Sequence, residues 1–134
     1  MLHHVELNVS DLQATRNFYS RLLPELGYEK YQDWPEGFSY KHGKTYIVFV
    51  QTEEKFLDAP YHRKATGLNH LAFHADSCAK VDELTEKMRQ WEMRILYEDR
   101  HPFAGGPSTY AVFTEDPDRV KIEIAASEIS EVKA

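Results

Sequence analysis

A single cysteine, Cys78, leaves this chain no internal disulfide and fits a reducing compartment. Long apolar runs are also missing. The longest, Tyr46 to Val50, falls far short of the roughly 20 residues that span a bilayer, so no membrane partner is expected. The start, Met1-Leu2-His3-His4, has neither the basic segment nor the apolar stretch of a secretory leader, and a cytoplasmic location is the expectation. There is no excess of positive charge. A formal net charge of −6 argues against a nucleic-acid partner, which needs a basic face to displace counterions. Glycine and proline are few, six of each in 134 residues, and aromatics reach 13%, the composition of an ordinary globular domain. Neither a Ser-His-Asp spacing nor a glycine-rich phosphate loop is present.

What is present is a repeat. His4-Val5-Glu6-Leu7 answers to His70-Leu71-Ala72-Phe73, and the same offset pairs Val9 with Ala75, Leu12 with Cys78, Phe18 with Leu84 and Leu22 with Met88. An apolar frame repeated at half-length points to one folding unit duplicated. In the first copy, Val5, Leu7 and Val9 alternate with His4, Glu6 and Asn8 as a half-buried strand. Ser10 stands as a helix N-cap with Gln13 completing a capping box, and Leu12, Thr15, Tyr19, Leu22 and Leu26 form one helical face. Pro24 predicts a kinked or broken last turn, and Gly27 suits the position just past the helix. Strands follow at about Tyr28–Asp33, Phe38–Lys41 and Tyr46–Gln51.

The second copy reads alike: a strand at Leu68–Ala75, then a helix capped by Asp76 or Ser77 and carrying Cys78, Val81, Leu84, Met88 and Trp91. Strands at Ile95–Asp99, Thr109–Thr114 and Val120–Ala126 complete it. The organisation expected is α+β: two tandem βαβββ modules in one domain of residues 1–134, with module one at 1–51, a linker at 52–66 and module two at 67–127. Together they are expected to form a curved, mixed, eight-stranded sheet around a cup, with helices on the other face. The polar tail after Ser127 is expected to fray.

Strand parity selects candidate ligands. If Val5, Leu7 and Val9 lie under the first helix, His4, Glu6 and Asn8 take the opposite face. The same rule puts His70, Ala72 and His74 opposite the second helix, and Glu123 opposite Ile122 and Ile124. Two imidazoles and a carboxylate on one kind of face are the donor set of an open divalent-metal site for Mn, Fe, Ni, Co or Zn. Glu6, two residues from His4, is placed to act as a general base or to orient a ligand histidine. Asn8 and His74 are candidates to contact substrate, and so are His62 and Arg63 in the linker. Arg63 suits a substrate carboxylate or phosphate. The loop His101–Pro107 reads either as a lid or as a plain connection.

His4 to Leu12 with Phe18-Tyr19, His70-Leu71-Ala72-Phe73, and Phe113 to Asp118 followed by Ile122-Glu123 carry a resemblance to the vicinal oxygen chelate superfamily. That superfamily includes glyoxalase I, extradiol dioxygenases, fosfomycin-resistance thiol transferases and bleomycin-resistance proteins. The resemblance spans residues 2 to about 126 and implies a divalent metal held by His4, His70 and Glu123. It also implies a homodimer, and a small oxygen-chelating substrate for a lyase, isomerase or extradiol-type oxygenase. The alternative it leaves is a metal-independent binder that sequesters a drug-like molecule. Two positions depart from the pattern. Val48 stands where glyoxalase I has a fourth ligand, with Gln51 able to substitute only by a register shift. Arg119 stands where glycine usually follows Asp-Pro-Asp, which suggests a changed turn.

Overall fold

The computed structural model describes residues 1–127, so the tail expected to fray lies outside the described residues. Its elements run β1 (His4–Val9), α1 (Leu12–Glu25), β2 (Glu29–Trp34), β3 (Gly37–His42), β4 (Thr45–Gln51), a short 3-10 turn (Glu54–Phe56), β5 (His70–Ala75), α2 (Cys78–Gln90), β6 (Ile95–Leu96), β7 (Ala111–Glu115) and β8 (Lys121–Ala126). The chain divides into two compact units, Met1–Pro60 and Tyr61–Ala134. Each is a βαβββ module. In place of one eight-stranded ladder, strand pairing gives two four-stranded mixed sheets, ordered β1-β4-β3-β2 and β5-β8-β7-β6. In each, the first and last strands run parallel side by side and the three later strands form antiparallel meanders. No helix among the described residues is long and apolar enough to cross a membrane.

In the first unit, α1 covers β3 and β4. Tyr19 stacks on Phe49 at 4.3 Å between ring centroids, and Phe49 stacks on Phe38 at 4.9 Å. Thr15, Tyr19 and Leu22, three of the predicted stripe, are wholly buried. The helix start differs from expectation. Asp11, not Ser10, is the N-cap, its Oδ1 accepting from Ala14 N at 3.1 Å, while Gln13 turns along the helix to Asn17. One residue's shift suffices because Asp serves as well as Ser in this role. Pro24 does not break the helix. It occupies the penultimate position, so the hydrogen bond it removes lies in the last turn, and the chain closes with Tyr28 N to Leu23 O and Gly27 N to Pro24 O about a left-handed Gly27 (φ 89°). Gly37 admits no side chain, since a Cβ there would lie 2.6 Å from the Phe49 carbonyl oxygen.

In the second unit, α2 packs on all four strands. Ser77 is its N-cap, and Cys78, Val81, Leu84 and Met88 are buried beneath it. The strand predicted over Ile95–Asp99 stops at Leu96, because Tyr97 takes a left-handed backbone (φ 58°) that no ladder continues.

Candidate functional site

The parity argument survives in the burial of each strand. Along β1, His4, Glu6 and Asn8 are exposed while Val9 is buried; along β5, Phe73 and Ala75 are buried while Ala72 and His74 are exposed; along β8, Ile122 and Ile124 are buried and Glu123 is half-buried. The two units bring different parts of the candidate set.

In the second unit, β5 and β8 pair in parallel with Ala72 opposite Glu123 and His70 opposite Lys121. This register slants Glu123 toward His70, and Nε2 of His70 lies 3.0 Å from Oε1 of Glu123. The other imidazole nitrogen, Nδ1, lies 2.7 Å from Oδ1 of Asn69. An amide oxygen only accepts, so Nδ1 carries the hydrogen and a neutral His70 presents the Nε2 lone pair to Glu123. In that neutral form two acceptors face each other unless a cation lies between them, whereas a second ring proton makes the contact an ion pair. The donor chemistry of this pair therefore fits a metal ion. Phe113 flanks the imidazole at 6.2 Å between ring centroids. A Cβ on Gly105 would lie 3.6 Å from Oε2 of Glu123, so the His101–Pro107 loop approaches the carboxylate at Gly105. Within either unit, no group of three or more His, Cys, Asp or Glu side chains gathers to hold a metal among the described residues.

In the first unit, His4 stacks on Tyr46 with centroids 4.7 Å apart and planes 5° apart, and its Nδ1 lies 2.9 Å from Nδ1 of His3. His3 thus meets the Nδ1 side of His4 as Asn69 meets that of His70, with Nε2 of His4 left uncommitted and Nε2 of His70 turned to Glu123. Glu6 makes no hydrogen bond or ion pair among the described residues. Its ladder partner is Val48, buried on the same face, so the departure from a fourth ligand is structural fact. Gln51 cannot substitute. It pairs with Val9 and spends its amide on the start of α1, accepting from Leu12 N and donating to Ser10 O, both at 2.8 Å.

The proposed substrate contacts fare unevenly. Asn8 is exposed on the His4 face, and His74 is exposed with Nδ1 3.1 Å from the Ser127 hydroxyl. His62 accepts from Lys64 N through Nδ1. Arg63 is occupied: one guanidinium nitrogen donates to Glu115 Oε2 at 2.8 Å and to the Arg119 carbonyl at 3.0 Å. Burial would raise the Glu115 carboxyl, but the Arg63 hydrogen bond and the charges of Arg119, Arg63 and Arg94 outweigh it and hold the group below the usual carboxylate range. Arg119 takes a left-handed backbone, φ 66°, the region glycine tolerates best, and its carbonyl accepts from Arg63. Asn69 and His3, which orient the two imidazoles, were missed by the pattern reading. Their only sequence signal is adjacency, each standing immediately before a candidate ligand.

The family model for the Glyoxalase/Bleomycin resistance protein/Dioxygenase superfamily matches residues 1–124. This chain belongs to that superfamily. Among curated proteins it is 56% identical over 125 residues to the uncharacterized protein YqjT of Bacillus subtilis, covering 93% of this chain and 98% of that one. It is 32% identical over 130 residues to lactoylglutathione lyase of Escherichia coli O157:H7, covering 92% and 90%. Among solved structures, a glyoxalase-like protein of Bacillus halodurans shares 65% identity with a TM-score of 0.92, over 94% of this chain and 95% of that one. The fosfomycin resistance protein FosX of Listeria monocytogenes matches at 22% identity and a TM-score of 0.70, over 98% and 96%, a likeness of fold.

Proposed function

We propose that this superfamily member is a divalent-metal-dependent enzyme acting on a small oxygen-bearing substrate, of lyase type, with His4, His70 and Glu123 as the protein ligands. The observation that carries the proposal is the His70–Glu123 contact, in which Asn69 takes the Nδ1 side of the ring and Nε2 meets the carboxylate at 3.0 Å. The repeat supplies His4 as the third donor, held ready by His3. Lyase chemistry draws support from the 32% identity to lactoylglutathione lyase across most of both chains. When bound, such a metal supplies a Lewis acid that polarises a substrate oxygen.

The chain's own residues divide the remaining work. Glu6, exposed on the His4 face and without a partner among the described residues, accepts a substrate proton at its carboxylate. Val48 beside it contributes an apolar wall where a further ligand would otherwise compete. Asn8 and His74 remain candidates for polar contact with substrate. His62 and Arg63 are the weaker assignments, because Arg63 already serves Glu115 and the Arg119 turn. We also propose a homodimer, since each four-stranded sheet ends in two edge strands open to pairing; light scattering at micromolar concentration showing a monomer mass refutes it.

Elemental analysis of protein purified without chelator tests the metal. The expected result is about one divalent ion per chain, lost in His70→Ala and in Glu123→Ala while both variants stay folded. Full occupancy in the double variant, or metal-free protein that refuses every divalent ion, overturns the reading. Glu6→Gln separates base from ligand: as a base its loss lowers turnover by about 10² to 10⁴ and leaves metal affinity within a few-fold. A drop in affinity of about tenfold or more assigns Glu6 to the metal instead.

A further inference from the structure

A cleft in the first unit, away from the residues assigned above, has a polar group that nothing in the fold explains. It lies between α1 and the β2–β3 hairpin, with a volume of about 220 Å³, and Arg16, Asn17, Lys30, Phe38, Ser39 and Tyr40 are among its walls. Tyr40 is 97% buried, 3% of its surface remaining accessible. Its hydroxyl has no hydrogen-bond partner among the described residues, yet it is not sealed from solvent, so it opens on the cleft. A phenol buried to this degree ordinarily finds a partner.

The cleft is also built. The ladder between β2 and β3 slips by one residue between Lys30 and Asp33, a bulge that re-aims the side chains of Lys30, Tyr31 and Gln32. Buried Ser39 secures it, its hydroxyl accepting from Gln32 N at 3.0 Å and donating to Gln32 Oε1 at 2.9 Å. On the helix side, Arg16 lies 4.5 Å over the Phe38 ring and is held by Asp33 at 3.2 Å.

The uncommitted groups share one character. Tyr40 offers an O–H. Asn17 spends its oxygen on Gln13, at 2.9 Å, and keeps its amide N–H groups. Lys30 has no ion-pair partner among the described residues, and Asp33 is the one acid in the wall, already facing Arg16. Donors and residual positive charge call for an anionic acceptor. The aromatic wall of Phe38 and Tyr40 calls for an unsaturated body, and the volume, below the 300–1,000 Å³ of drug-sized pockets, limits it to about one ring. We propose that this cleft binds a one-ring aromatic carboxylate, its carboxylate taking the Tyr40 hydroxyl and the Asn17 amide and its ring lying against Arg16. The proposal is independent of the metal reading, because it uses first-unit residues that the metal reading does not.

Benzoate titrated into ¹⁵N-labelled full-length protein tests it. The expected result is saturable shifts of the amides of residues 16–20 and 30–40. Tyr40→Phe, which removes one oxygen and keeps the ring, weakens binding about tenfold, the share of one hydrogen bond to a charged acceptor. Asn17→Asp, a change on the exposed side of α1, abolishes it by placing a like charge beside the carboxylate. Benzamide, the uncharged analogue, binds more weakly than benzoate. Absence of saturable shifts at millimolar benzoate, shifts confined to residues outside the cleft, or Tyr40→Phe binding as tightly as the parent overturns the proposal.

Discussion

Asn69 illustrates how one neutral side chain decides the chemistry of a charged pair. By taking the Nδ1 hydrogen of His70 it fixes which nitrogen meets Glu123. Asn69→Leu should lower metal affinity by about 10- to 100-fold, the usual cost of losing a partner that orients a ligand. Asn69→Asp should restore it. Calorimetry with a divalent ion checks both, and unchanged affinity in Asn69→Leu refutes the orienting role. Arg63 makes the opposite case. A sequence reading of free linker basics suggests an anion hook, but the guanidinium is committed to Glu115 and to a strained turn. Arg63→Met should cost about 1–3 kcal/mol in denaturant unfolding. The sign of its pH dependence follows from Glu115, whose folded pKa is depressed. The pair's stability is present above the unfolded carboxylate value of about 4.3 and is lost as pH falls through the lower folded value. Arg63→Met should therefore draw nearer to the parent in acid, keeping only the loss of the Arg119 carbonyl bond; a gap unchanged with pH contradicts the assignment.

At the scale of elements, period and parity were legible because burial enforces them. Val9, Phe73 and Ile124 must face the helices, so the side bearing His4, His70 and Glu123 followed without knowledge of any ladder. Features that depend on a single backbone conformation were not legible. β6 is cut short by a left-handed Tyr97, a residue whose type gives no warning. The N-cap moved from Ser10 to Asp11, two competent neighbours, in a setting where Leu12 N is taken by the Gln51 amide oxygen from a distant strand. The β2 bulge depends on a hydroxyl at Ser39 that reads as an ordinary strand residue. Two variants gauge these local decisions. Asp11→Ala should cost about 1 kcal/mol while Ser10→Ala costs less, as the cap assignment requires. Gly37→Ala should cost about 1–3 kcal/mol, since the added methyl meets a backbone oxygen that cannot turn aside. Thermal melts giving equal loss for Asp11 and Ser10 refute the cap.

For the molecule as a whole, duplication has produced two modules of the same plan with unequal endowments. The first holds His4, Glu6 and an aromatic stack; the second holds the His70–Glu123 pair and the triple-arginine grip on Glu115. The module plan was legible from the repeat, whereas what each module does with its polar residues had to be read from coordinates. The modules also differ in one plain respect. Cys78, 8% exposed as the first residue of α2, belongs to the second unit, and no other thiol exists in the chain. The protein thus carries its own chemical clock. A thiol reagent applied under native conditions is consumed as the first turn of α2 opens, so its rate counts openings in the second module while remaining blind to the first.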